Sequence, residues 1–153
     1  MFRNEQVGQN WIEDHIDLID ANDFINLYEE CPISLRSSLT TILHDADIYP
    51  EDYMVYIPAG FLQGHPTLQE YNVFEGCLGI GSYAFQNCMS LKKVTIPHHM
   101  RLNNHCFTNC VDLQRINFGG TVEEWKLMTN FPNSFFHKCS KITVYCKNGV
   151  TTT

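Results

Sequence analysis

The chain has 153 residues, a formal net charge of −7, and 44% hydrophobic against 18% charged residues. A chain of this length buries about 68–70% of the surface it exposes when unfolded, enough for a sizeable core. It contains no run of eighteen apolar residues, so no membrane span is expected. Its acidic balance argues against direct binding of DNA or RNA.

The N-terminal residues Met1-Phe-Arg-Asn-Glu5 lack a basic stretch followed by an apolar one, so no secretory signal is expected. Residues 11–20 are ambiguous. Trp11, Ile12, Ile16 and Ile19 fit a helix, while Ile16 and Leu18 also fit a strand. Further on, Phe24, Leu27, Tyr28 and Cys31 fall at i, i+3, i+4 and i+7, one stripe of a helix that Asn22 can cap and Pro32 stops. Leu35, Leu39, Ile42, Leu43 and Ala46 form a second stripe after Ser34. Pro50-Glu-Asp-Tyr-Met54 suits a short third helix, with proline in the first turn and acids at the N-terminal dipole.

From residue 57 the pattern changes to a repeat. Ile80/Leu102, Phe85/Phe107, Cys88/Cys110, Leu91/Leu113, Val94/Ile116 and Ile96/Phe118 are apolar pairs that all share one spacing, 22. That period belongs to stacked solenoid coils. Upstream, Leu62, His65, Leu68, Tyr71 and Val73 carry the same ladder at a spacing of 23. Downstream, Phe131, Phe136, Cys139 and Ile142 restart it after an insertion of seven residues. About four coils are expected, each with one short strand, such as Val94-Thr95-Ile96, and a return path. Stacking at about 4.8 Å per strand would take Leu91, Leu113 and their column out of water. The Asn87-Cys88 and Asn109-Cys110 pairs fall in the return path, where the thiol can be buried and the amide can serve backbone groups at a bend.

The unit I-G-x-x-A-F-x-x-C-x-x-L-x-x-V-x-I-P, matched by residues 80–97, resembles the BspA-like leucine-rich repeat family. Residues 102–118 keep its apolar frame but put Asn103 and Cys106 where the motif has Gly and Ala. Gly119-Gly-Thr-Val-Glu-Glu-Trp125, followed by Ile142-Thr-Val-Tyr-Cys146-Lys-Asn-Gly149, resembles the closing repeat of such arrays, with a Trp-bearing turn before the last strand. The resemblance spans about residues 57–150. It implies an α/β fold: a short leucine-rich-repeat solenoid with parallel stacking behind an N-terminal helical cap. It also implies a non-catalytic module that binds proteins.

Charge divides the chain in the same place. Residues 1–56 carry twelve carboxylates against Arg3 and Arg36, a balance of −10, whereas residues 57–153 stand at +3. Two regions follow: 1–56 as an acidic helical cap, and 57–153 as the solenoid with an insertion over 119–130. A cap suits a solenoid, whose ends need a polar outer face. A sharper use of the acids is nucleic-acid mimicry. Glu13, Asp14, Asp17, Asp20 and Asp23 would span about 15 Å of helix, near one charge per 3 Å. A small acidic inhibitor, of the kind common in phage-like genomes, could then block a nucleic-acid-handling or defence enzyme.

Among metal-capable residues, His98, His99, His105, Cys106 and Cys110 are densest, but they lack a second paired knuckle for zinc. No acid, base and nucleophile converge, so neither catalysis nor a cofactor is expected. The seven cysteines are odd in number, and Cys88, Cys110 and Cys139 share one repeat position, which favours free thiols in a cytoplasmic setting. The candidate partner site is the outward side of the strands. Glu70, Lys93 and Arg115 form one column, Asn72, Thr95 and Asn117 the next. Trp125 joins them as an anchor if exposed, or serves as a buried closing lid.

Overall fold

The structure is a computed structural model that describes residues 23–153. Helix α1 spans Asp23–Glu30. The expected stripe of Phe24, Leu27, Tyr28 and Cys31 is wholly buried, and the chain leaves the helix at Cys31-Pro32, where proline cannot continue it. The expected cap, Asn22, lies outside the described residues. A 3-10 turn, Ile33–Leu35, leads into helix α2, Arg36–Asp45. Leu39 and Leu43 of its stripe are fully buried, but Ala46 caps the helix in the exposed region instead of joining the core. Pro50–Tyr53 form a single 3-10 turn.

These segments cover the first rung of the repeat. The Tyr28 ring lies 5.5 Å from that of Phe61, and Arg36 Nη1 donates to the Ala59 carbonyl at 3.1 Å. Glu51 ties this region to the repeat by accepting from Tyr71 at 3.0 Å, and within the region it meets His44 Nε2 at 2.9 Å. One continuous hydrophobic core runs from Phe24 to Val144.

The repeat builds a sheet of β1 (Glu70–Asn72), β3 (Lys93–Ile96), β5 (Arg115–Phe118), β6 (Thr143–Cys146) and β7 (Gly149–Thr152), in that spatial order. The first four strands run parallel, and β7 folds back antiparallel on β6. Register follows the sequence periods: Tyr71 pairs with Val94 and Val94 with Ile116. Leu91 and Leu113 are fully buried, with Leu68 partly buried at the head of their column.

A second strand per coil was not expected. β2 (Gly79–Ile80) pairs in parallel with β4 (Arg101–Leu102), and Ile57 bridges to Ile80. The apolar leads Ile57, Ile80 and Leu102 thus point inward from a second, shorter sheet. Two residues are too few to give the alternation by which a strand is read from sequence.

Inside, like residues pile on like. Phe85 stacks on Phe107 at 5.2 Å, and Phe107 on Phe136 at 5.7 Å, with interplanar angles of 6° and 9°. Beside them the Cys88, Cys110 and Cys139 thiols donate to the carbonyls of Leu62, Phe85 and Phe107, each on the preceding rung, at 3.0–3.1 Å. In the first rung His65 takes the cysteine's place, and its Nδ1 accepts the backbone N–H groups of Thr67 and Leu68.

The bends are left-handed. Gly64, Asn87, Asn109 and Lys138 hold φ of 61–72°, as do Gly60, Tyr83 and His105 at 59–70°. Asparagine tolerates that region better than most side chains. Its amide does not serve the backbone as expected: Asn109 Nδ2 donates to Asn87 Oδ1 at 2.9 Å, one rung to the next.

The insertion is a helix, α3 (Val122–Thr129), opened by a capping box between Thr121 and Glu124. Gly119 lets the chain turn toward it, since a Cβ there would meet the Pro97 carbonyl oxygen at 1.7 Å. The helix packs beside β4, where Met128 Sδ accepts from the Met100 N–H at 3.4 Å, and no third strand of the short sheet follows among the described residues. Phe131, expected in the ladder behind Leu102, is turned out and 52% exposed, while Phe135 is buried as the next member of the Ala84 and Cys106 column.

Candidate functional site

The outward positions of the sheet form two columns. Glu70, Lys93, Arg115 and Thr143 are register partners, and so are Asn72, Thr95, Asn117 and Tyr145. β7 extends both, pairing Thr152 with Thr143 and Val150 with Tyr145. Residues paired across a sheet present their side chains to the same face. The six strand residues expected from the sequence therefore come together on one surface. Thr143 and Tyr145 were missed because the last rung slips by one position, and Val150 and Thr152 because β7 returns antiparallel, outside the repeat. The spacing from Leu113 to Ile142 is 29, but from Ile116 to its register partner Val144 it is only 28.

The chemistry of this face is uneven. Lys93 Nζ lies 3.4 Å from Glu70 Oε1, both groups well exposed; such a surface pair contributes about 0–1 kcal/mol. The Arg115 guanidinium sits 4.0 Å over the Tyr145 ring, and its Nε donates to Asn117 Oδ1 at 2.8 Å. Stacking on an aromatic face adds about 0.5–1 kcal/mol at an exposed site and fixes the plane of the fork. Tyr145 and Val150 remain 39% and 58% exposed.

Trp125 is not part of this face. It is 2% exposed, edge-on to Phe118 at 5.3 Å and 6.1 Å from Phe136. Its indole closes the end of the aromatic column, which removes it as a surface anchor. Of the acidic set, Glu13, Asp14, Asp17 and Asp20 lie outside the described residues, and Asp23 is the first residue of α1.

The metal-capable residues are otherwise engaged. His105 Nδ1 pairs with Thr108 Oγ1 at 3.0 Å, and its ring stacks on Tyr83. His98 Nδ1 lies 2.9 Å from the His99 carbonyl. Cys106 is fully buried, and Cys110 donates to Phe85. No three His, Cys, Asp or Glu side chains converge among the described residues. All seven thiols are free. Burial pushes each above the usual thiol range, Cys31 and Cys88 up to about 11 and Cys106 and Cys110 further, which disfavours the nucleophilic thiolate. A groove of about 240 Å³ between α1 and the first rung is mainly apolar, lined by Ile25, Met54, Tyr56 and Pro58. No helix among the described residues is long and apolar enough to cross a membrane.

No curated protein and no solved structure matches the chain. A family model, the BspA type leucine rich repeat region, matches residues 55–152 in six copies. That span takes in every strand of both sheets and the α3 lid, so the chain belongs to the BspA-type leucine-rich repeat family.

Proposed function

We propose that this protein is a non-catalytic interaction module that binds a protein partner through the strand face. Membership of a leucine-rich repeat family favours protein recognition. The observation that carries the choice of face is the alignment of Glu70, Lys93 and Arg115 beside Asn72, Thr95 and Asn117, strand by strand. A rigid scaffold that repeats hydrogen-bonding and charged groups at about 4.8 Å suits an extended, complementary surface. Counting one coil per parallel strand of the larger sheet, we read the array as four coils. Residues 1–56 are its cap, and α3 with Trp125 is its closing lid. The seven free thiols support a reducing, cytoplasmic setting.

Affinity capture from the native host with the full chain, quantified by mass spectrometry, tests the choice of face. Lys93→Glu combined with Arg115→Glu should abolish recovery of the partner. Unchanged recovery would move the site off this surface.

A further inference from the structure

Arg115 differs from the other cation of its column. Lys93 already faces a carboxylate, Glu70, at 3.4 Å. The two groups that hold Arg115 are neutral: Asn117 accepts from Nε, and the Tyr145 ring lies beneath Cζ. Its terminal nitrogens Nη1 and Nη2 make no hydrogen bond among the described residues, while the guanidinium plane is held at one nitrogen and one face. That is a fork set for a planar bidentate acceptor, with part of the ordering cost already met in the free protein. With Glu70, Lys93 and Arg115 as its charged members, the column carries a net charge of +1. One carboxylate neutralises it. A doubly charged phosphate would leave an excess negative charge near Glu70. Two strands beyond Asn117, in the neighbouring column, Val150 adds an exposed apolar side chain beside Tyr145, about 12 Å diagonally from the Arg115 position at about 4.8 Å per strand and about 3.3 Å per residue.

We propose that the partner presents an extended acidic segment, one carboxylate of which is gripped by Arg115 while an apolar side chain about 12 Å away packs on Val150 and Tyr145. This rests on the strand face being the binding surface, and it adds the chemistry of what binds there. The partner's carboxylate accepts two parallel hydrogen bonds from the fork, and Tyr145 shields them on one side.

The test uses random 12-residue peptides displayed on phage, selected against the full chain and then measured as synthetic peptides by fluorescence anisotropy. Enriched peptides should pair Asp or Glu with Leu, Ile or Phe a few residues away. Changing that acid to its amide, or Arg115→Ala in the protein, should each weaken binding about tenfold to hundredfold, without adding when combined. Arg115→Lys keeps the charge but loses the stacked fork, and should recover only part of the affinity. Asn117→Ala, which frees Nε, should weaken binding less than Arg115→Ala. Arg115 is exposed, and an unchanged melting temperature shows that the variants fold.

If Thr95→Arg and Asn117→Arg block the peptides but Arg115→Ala does not, the face stands and the acidic segment falls. If none of these changes alters binding, the strand-face reading falls and takes this one with it.

Discussion

The thiol of Cys110 donates to the backbone carbonyl of Phe85, 3.0 Å away on the preceding rung, and the two residues stand in neighbouring columns of the core. The same bond joins Cys88 to Leu62 and Cys139 to Phe107. Each of these carbonyls also accepts a backbone N–H, as Phe85 does from Cys88 at 3.2 Å, so the thiol fills the second acceptor site and ties rung to rung without the desolvation that a hydroxyl or amide would carry. Cys110→Ala should therefore cost about 1–2 kcal/mol, read by urea denaturation, because it removes the bond between rungs and leaves a small void, while the Phe85 carbonyl keeps the Cys88 N–H.

Thiol labelling should follow the same burial. In native protein at pH 7.5, Cys139 and Cys146, which are only partly buried, should react first with a disulfide reagent. Cys106 and Cys110 should react only as fast as the protein unfolds. Mass spectrometry of the modified sites over time distinguishes these classes, and early labelling of Cys106 would contradict the packing described.

The bends offer a test of backbone strain. Lys138 holds φ of 62° where its counterpart in the first rung is Gly64. Lys138→Gly should raise stability or leave it unchanged, whereas Lys138→Val should lower it by about 1–2 kcal/mol, since a β-branched side chain crowds the left-handed region. Thermal denaturation of the pair gives the sign directly.

His65 gives the fold a pH dependence. Desolvation by burial is the main cause that lowers its pKa below the usual 6.5; the His44 charge adds to this and Asp45 opposes it. Nδ1 accepts two backbone N–H groups and so must be unprotonated. Below pH 6.5 the unfolded chain takes up a proton at this site that the folded chain resists. Stability from His65 is thus full above the unfolded value and lost as pH falls toward the folded one. Stability measured at pH 7.5 and pH 5 should fall more in the wild type than in His65→Asn. Equal losses would assign the pH dependence to other groups.

Much of this architecture was legible in the sequence because it is periodic. The six apolar pairs, all at one spacing, set the register of β3 against β5, and from it the columns that include Lys93 and Arg115. What could not be read lies where the period breaks. The short strands β2 and β4 carry too little pattern to declare themselves. After helix α3 no third short strand follows β4 among the described residues, so Phe131 leaves the ladder and turns outward. The one-residue slip between Ile142 and Val144 hid Tyr145, the ring under Arg115, although the Thr143-Val-Tyr145 alternation was there to follow.

The closing lid is open to a direct test. Trp125→Ala removes the ring that covers Phe118 and Phe136 and should cost about 3–5 kcal/mol in urea denaturation. Thr121→Ala, which only breaks the capping box, should cost about 1 kcal/mol.

The central claim is that recognition occurs on the outward columns of the sheet. Once a partner is captured, side-chain amide and methyl NMR spectra of the labelled chain with and without it test this most directly. The prediction is that shifts concentrate at Asn72, Thr95, Asn117 and Val150, together with the Arg115 Nε–H. Shifts confined to residues 24–56, with these five groups unmoved, would contradict it.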